Sequence, residues 1–190
     1  MPVWGWILIA VIVVIAVVAI MVTRAANSRK KTERLKRQFG PEYERTVGET
    51  GEQRAAEKEL AARERKRGKL EIVPLSTQAR EKYADRWRTV QTTFVDSPAS
   101  AVDDADRLVT QVLRERGYPI DDFDQRAADI SVDHPTVVEN YRAAHSISLS
   151  QKGGDVGTEK QRQAFVHYRT LFEKLLETDN GTDKSQEART

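Results

Sequence analysis

Residues 76–96, STQAREKYADRWRTVQTTFVD, carry the reading on which the fold turns. Ala79, Tyr83, Trp87, Val90 and Phe94 recur every three or four positions, and Arg80, Lys82, Arg86 and Arg88 fall between them. That is the period of an α-helix with one apolar face. Ser76 stands where an N-cap hydroxyl accepts from the first turn. Ile72-Val73-Pro74-Leu75, just before it, reads as extended, because proline steers its predecessor away from helix.

The same logic runs downstream. Ser97-Pro98 opens a second helix, with Asp103, Asp104 and Asp106 near its positive end and Val102, Ala105, Leu108, Val109, Val112 and Leu113 on its inner face. Gly117 is placed as its left-handed stop, with Pro119 beyond. Asp121 to Ile130 predicts a short helix burying Phe123, Ala127 and Ile130, and Asp133-His134-Pro135 reads as the next helix start. Val137, Val138, Tyr141, Ala144 and His145 share one side of that helix. Gly153, Gly154 and Gly157 mark a loop, and Thr158 with Gln161 matches a capping box for a last helix inward at Phe165, Tyr168, Phe172, Leu175 and Leu176. No stretch alternates in twos for long enough to build a sheet.

Upstream the chain changes character. Val3 to Val22 holds no charged residue, and twenty residues at about 1.5 Å each match the roughly 30 Å hydrocarbon core of a bilayer. Trp4 and Trp6 sit where an aromatic anchor is expected. The segment predicts a transmembrane helix. A cleaved signal peptide is the rival reading, with small residues at Ala19 and Ala25, but its apolar run is normally shorter and follows a basic region. Arg24, Arg29, Lys30, Lys31, Arg34, Lys36 and Arg37 follow the span, opposed only by Glu33. Positive residues stay on the cytoplasmic side, so the expected topology is N-terminus outside and the rest at the cytoplasmic face of the inner (plasma) membrane, with anionic lipid at the basic residues.

Between Arg24 and Leu70 there are 15 Lys/Arg against 8 Asp/Glu, whereas the remainder of the chain is mildly acidic. Gly40-Pro41 interrupts the helix leaving the membrane, and Gln53 to Arg67 reads as a helix again, with Glu59 and Arg63 at pairing distance. Its apolar positions, Ala55, Ala56 and Leu60, make a weak face, so this stem reads as a solvated spacer, the alternative being lipid or partner binding through Arg63, Arg65, Lys66, Arg67 and Lys69. The expected organisation is a transmembrane helix over 1–23, a basic helical stem over 24–71, a small all-α bundle over 72–178 and a polar tail over 179–190.

Phe94-Val-Asp-Ser-Pro, Ala105-Asp-Arg-Leu-Val, Arg116-Gly-Tyr-Pro, Ser131-Val-Asp-His-Pro and Tyr141-Arg-Ala-Ala-His together resemble a family of bacterial single-pass membrane-anchored proteins with no assigned activity. The resemblance implies a bacterial source.

Chemistry is thinly signalled. The chain has no cysteine, which excludes disulfides and thiolate chemistry. His134, His145 and His167 lack zinc-ligand spacing, and Gly153-Gly154 lacks the Lys-Ser/Thr ending of a phosphate loop. No cofactor, metal or small-molecule site is expected, and the acidic distal part argues against nucleic acid. The densest cluster is Asp121, Asp122, Phe123, Asp124, Asp129, Asp133 and His134. These residues read either as helix caps or as a protein-contact surface. The functional expectation is a membrane-anchored, non-enzymatic helical interaction module. The alternatives are a membrane-bound enzyme using Asp133 and His134, and a binding domain facing the envelope.

Overall fold

The computed structural model describes residues 3–154 and 156–177, with many side chains between residues 3 and 25 outside the description. Eight helices and no strand occur among the described residues, so the fold is all-α. They are α1 (Val3–Phe39), α2 (Pro41–Thr50), α3 (Gln53–Arg67), α4 (Thr77–Asp96), α5 (Pro98–Glu115), α6 (Phe123–Asp133), α7 (Val138–Lys152) and α8 (Thr158–Leu176). Among the described residues no helix is long and apolar enough to cross a membrane. Most side chains of the span expected over Val3–Val22, and the tail at 179–190, lie outside the described residues.

The main core is built where the periodicity put it. Tyr83, Trp87 and Val90 from α4 meet Val102, Leu108, Val109, Val112 and Leu113 from α5 and Phe165, Tyr168, Leu171, Phe172 and Leu175 from α8. Trp87 stacks on Phe172 at 4.6 Å and on Phe165 at 5.2 Å. α7 closes the bundle against α8 with Val138, Tyr141 and Ala144, and α6 adds Ala127 and Ile130. Tyr118, which follows α5 and belongs to no helical face, is also buried here.

Helix ends follow the expected chemistry in part. The Ser76 hydroxyl accepts from the Ala79 amide at 3.1 Å, and Asp122 accepts from the Gln125 amide at 2.7 Å. Ser97 begins α5 ahead of Pro98 without a side-chain cap bond. Gly117 is left-handed at φ 94°, and the Tyr118 amide reaches back to the Leu113 carbonyl at 2.9 Å, which closes the end of α5. Two expectations are corrected. Asp133-His134-Pro135 does not start a helix: α6 runs on through Asp133, and His134 ends it, its amide donating to the Ile130 carbonyl at 2.8 Å. The capping box at Thr158 does not form either, because Gly157 takes the N-cap position and puts Thr158 inside the helix.

The largest correction concerns the stem. Residues 32–67 are not a solvated spacer. Leu35 and Phe39 at the end of α1, Tyr43 on α2 and Leu60 on α3 form a second apolar core, each at most 2% exposed. Ala56 is fully buried as well. Each helix contributes only one or two apolar residues, so no single stretch shows a strong face, yet three helices together enclose a core. Val132 of α6 packs against it and brings the stem onto the bundle.

Candidate functional site

The expected acidic cluster divides in two. Asp121, Asp122 and Asp124 are exposed around the start of α6. Phe123 is half-buried and lies flat on the His145 ring at 3.6 Å, with the Arg126 guanidinium over its face at 5.6 Å. Asp129, in contrast, is fully buried. Asp133 sits at the end of α6, accepting from Arg67 Nε and from the Tyr118 hydroxyl. His134 is 6% exposed. The start of α6 therefore presents Asp121, Asp122 and Asp124 to solvent, while at its end Asp133 is exposed but engaged by Arg67 and Tyr118, and Asp129 and His134 are buried.

Burial sets the electrostatics. Arg126 is held by its own partners, donating to the Tyr141 hydroxyl at 2.6 Å and to the Ile120 carbonyl at 2.7 Å. Burial pushes the Tyr141 hydroxyl up to about 12, and burial moves His145 below the usual imidazole range. Burial also pushes the Asp129 carboxyl up, against the opposing charges of Lys66 and Arg67 and a hydrogen bond from Gln125. Asp129 Oδ1 accepts from Gln125 Nε2 at 3.0 Å, and its Oδ2 has no hydrogen-bond partner.

That arrangement has a pH signature. The native carboxyl of Asp129 holds its proton to higher pH than the unfolded one, whose ordinary value is 3.8. Stability from this group is therefore full below that value and is lost as pH rises through the folded pKa. Asp129→Asn mimics the protonated form and is expected to raise stability at neutral pH by about 1 kcal/mol, the scale of an unsatisfied buried acceptor. The gain shrinks towards nothing in acid. Urea titrations of both forms at the two pH values check it, and an equal gain in acid would refute the assignment.

An open groove of about 440 Å³ lies between α3 and α6 beside this cluster. Arg63 and Lys66 stand on the α3 wall with Glu59 and Ala62, and Asp122, Asp124, Gln125 and Ala128 on the α6 wall. Neither Asp133 nor His134 lines it. Among the described residues no group of three or more His, Asp or Glu side chains is arranged to hold a metal ion.

No family model, curated protein or solved structure matches this chain.

The basic residues of the stem also divide. Arg24, Arg29, Lys30 and Lys31 are exposed along α1 before it meets any partner helix, and Arg37 is exposed farther on. Arg34 instead makes a two-pronged pair with Glu64, at 2.6 and 2.9 Å, and Lys36 pairs with Glu44 at 3.4 Å while lying over the Tyr43 ring. Arg34 and Lys36 are thus partly spent inside the protein.

Two further buried carboxylates, Glu42 and Glu57, were not signalled by the sequence. Glu42 is 1% exposed and accepts from Arg63 on α3 at 2.7 Å and from both arms of Arg142 on α7 at 2.7 and 2.8 Å. Burial alone would raise its pKa, but the Arg142 and Arg63 contacts overcome that and hold it below the usual carboxylate range. Glu57 is similarly held by Thr32, Gln53 and Tyr43. A partner a hundred positions away leaves no local pattern. The one available hint was that Glu42 adjoins Tyr43 and Arg142 adjoins Tyr141, both buried aromatics.

Proposed function

We propose that this chain is a single-pass membrane-anchored helical module that acts by binding a protein partner. The observation that carries the reading is α1. Its described apolar side chains Trp4, Ile12, Ile15 and Met21 are 56–82% exposed, and the same helix continues into the second core through Leu35 and Phe39. A row of exposed apolar residues on a helix is costly in water and costless in lipid. The charge-free sequence Val3–Val22 and the basic collar Arg24, Arg29, Lys30 and Lys31 supply the matching bilayer pattern. In this reading the N-terminus lies outside and the bundle lies at the cytoplasmic face of a bacterial inner (plasma) membrane, in keeping with the family resemblance. The partner contact is the exposed acidic start of α6, Asp121, Asp122 and Asp124, which suits a basic surface. Asp133, the carboxylate of the alternative enzyme reading, is engaged by Arg67 and Tyr118.

The test is topological. Alkaline phosphatase fused at Thr190 should be inactive and a fluorescent protein there should fold. The full chain should float with anionic vesicles in detergent-free reconstitution, and Arg24, Arg29, Lys30 and Lys31 should each add about 1 kcal/mol to the interaction with anionic over neutral lipid at low salt. Active phosphatase, or recovery of the chain as a soluble protein without lipid, would overturn the reading.

A further inference from the structure

We propose that the chain is built as two bodies closed by an ionic latch: the end of α1 with α2 and α3, and the bundle α4–α8, hinged at Leu70–Glu71. The two apolar cores have no buried residue in common, and Val132 is the apolar side chain of the bundle packed on the stem core. The ion pairs that cross between the bodies are Glu42 with Arg142, Arg45 with Glu139 at 2.9 Å, and Arg67 with Asp133. Pairs of this kind fix orientation more than they add net adhesion, because desolvation offsets most of the attraction.

The covalent joint is placed to allow movement. α3 ends at Arg67, and a turn carries it to Leu70, the Lys69 and Leu70 amides donating to the Lys66 and Arg67 carbonyls at 3.0 Å; the bundle takes hold at Val73, whose amide donates to the Arg116 carbonyl at 2.9 Å, with Ile72 and Leu75 anchored in the bundle core. The seam is also imperfect. The groove between α3 and α6 lies along it, and Asp129 is buried beside Lys66 and Arg67 with one carboxylate oxygen unpartnered. Opening the seam hydrates that oxygen, which lowers the cost of separation. An intact apolar core on each side lets the seam part without unfolding either body. The latch lies wholly within residues 32–142 and holds whether or not α1 spans a bilayer.

The chain has no cysteine, so spin labels can be placed by single substitutions. Full-length protein in nanodiscs carrying Lys58→Cys on α3 and Ser146→Cys on α7 reports the seam by pulsed electron paramagnetic resonance. A second pair, Arg88→Cys on α4 and Arg169→Cys on α8, reports the bundle. Glu42→Gln should raise a longer-distance population across the seam severalfold, while the bundle pair keeps its distance. The milder combination of Arg45→Gln with Asp133→Asn should shift the seam in the same direction by less. One unchanged seam distance in both variants would overturn the latch. So would broadening of the bundle pair together with the seam, since the chain would then be a single cooperative body.

Discussion

Trp87→Ala should lower the stability of the bundle by about 3–5 kcal/mol, the range for deleting a large aromatic from a core. Trp87 is 5% exposed and stacks against two rings of α8, so its loss unpins α4 from α8. The surroundings cannot easily close over the gap. Ala84, Phe172 and Leu176 already border an open apolar groove next to the indole, and removing the ring joins that groove to the core. Trp87→Phe makes the informative contrast. It keeps a stacked ring and removes an indole N–H that is buried with no hydrogen-bond acceptor, so the cost should stay below about 1.5 kcal/mol. Urea unfolding of the detergent-solubilised chain, followed by circular dichroism, separates the two. An unchanged midpoint for Trp87→Ala would mean that α4 is not integral to the bundle.

Gly117→Ala should be nearly as damaging, although it adds a single carbon. Gly117 holds φ at 94°, and a Cβ there would stand 2.4 Å from the Glu71 carbonyl oxygen. The backbone conformation alone costs an alanine about 1–2 kcal/mol. Relieving the overlap requires shifting the lead-in segment that Val73 and Leu75 anchor, which adds about 1–3 kcal/mol on the scale of overpacked cores. Gly51→Ala is the control, since φ is 69° there but nothing lies within 4 Å of the added carbon. Only the conformational share of the cost should appear. Hydrogen exchange in α5 for the first variant and in α2 for the second measures each locally. Equal protection losses would show that the close approach of Glu71 contributes nothing.

Most helices were legible because an apolar stripe is a local property. Tyr83, Trp87 and Val90, and the run from Val102 to Leu113, declare both helix and inward face within a few turns. Breaks at Gly40-Pro41 and Ser97-Pro98 are equally local, since proline lacks the donor that a continuing helix needs. The helix start expected at His134 and the capping box expected at Thr158 do not form where local spacing put them. Asp, Ser and Thr are compatible with several positions near a helix end, and the neighbouring turn decides which one is used.

What the sequence determined by itself is the all-α class, the inward faces of α4, α5 and α8, and the charge contrast between stem and bundle. Tertiary structure alone decided the fate of residues whose partners lie far along the chain. Asp124 and Asp129 are the same residue five positions apart, yet one is exposed and the other sealed beneath α3. Leu60 and Ala56, on a face too weak to predict burial, are fully enclosed because α1 and α2 supply Leu35, Phe39 and Tyr43. Glu42 can be a buried carboxylate only because Arg63 and Arg142 reach it from two other helices. Burying a charge is unfavourable until its partners arrive, and no periodicity along a single helix records which distant side chains will meet it.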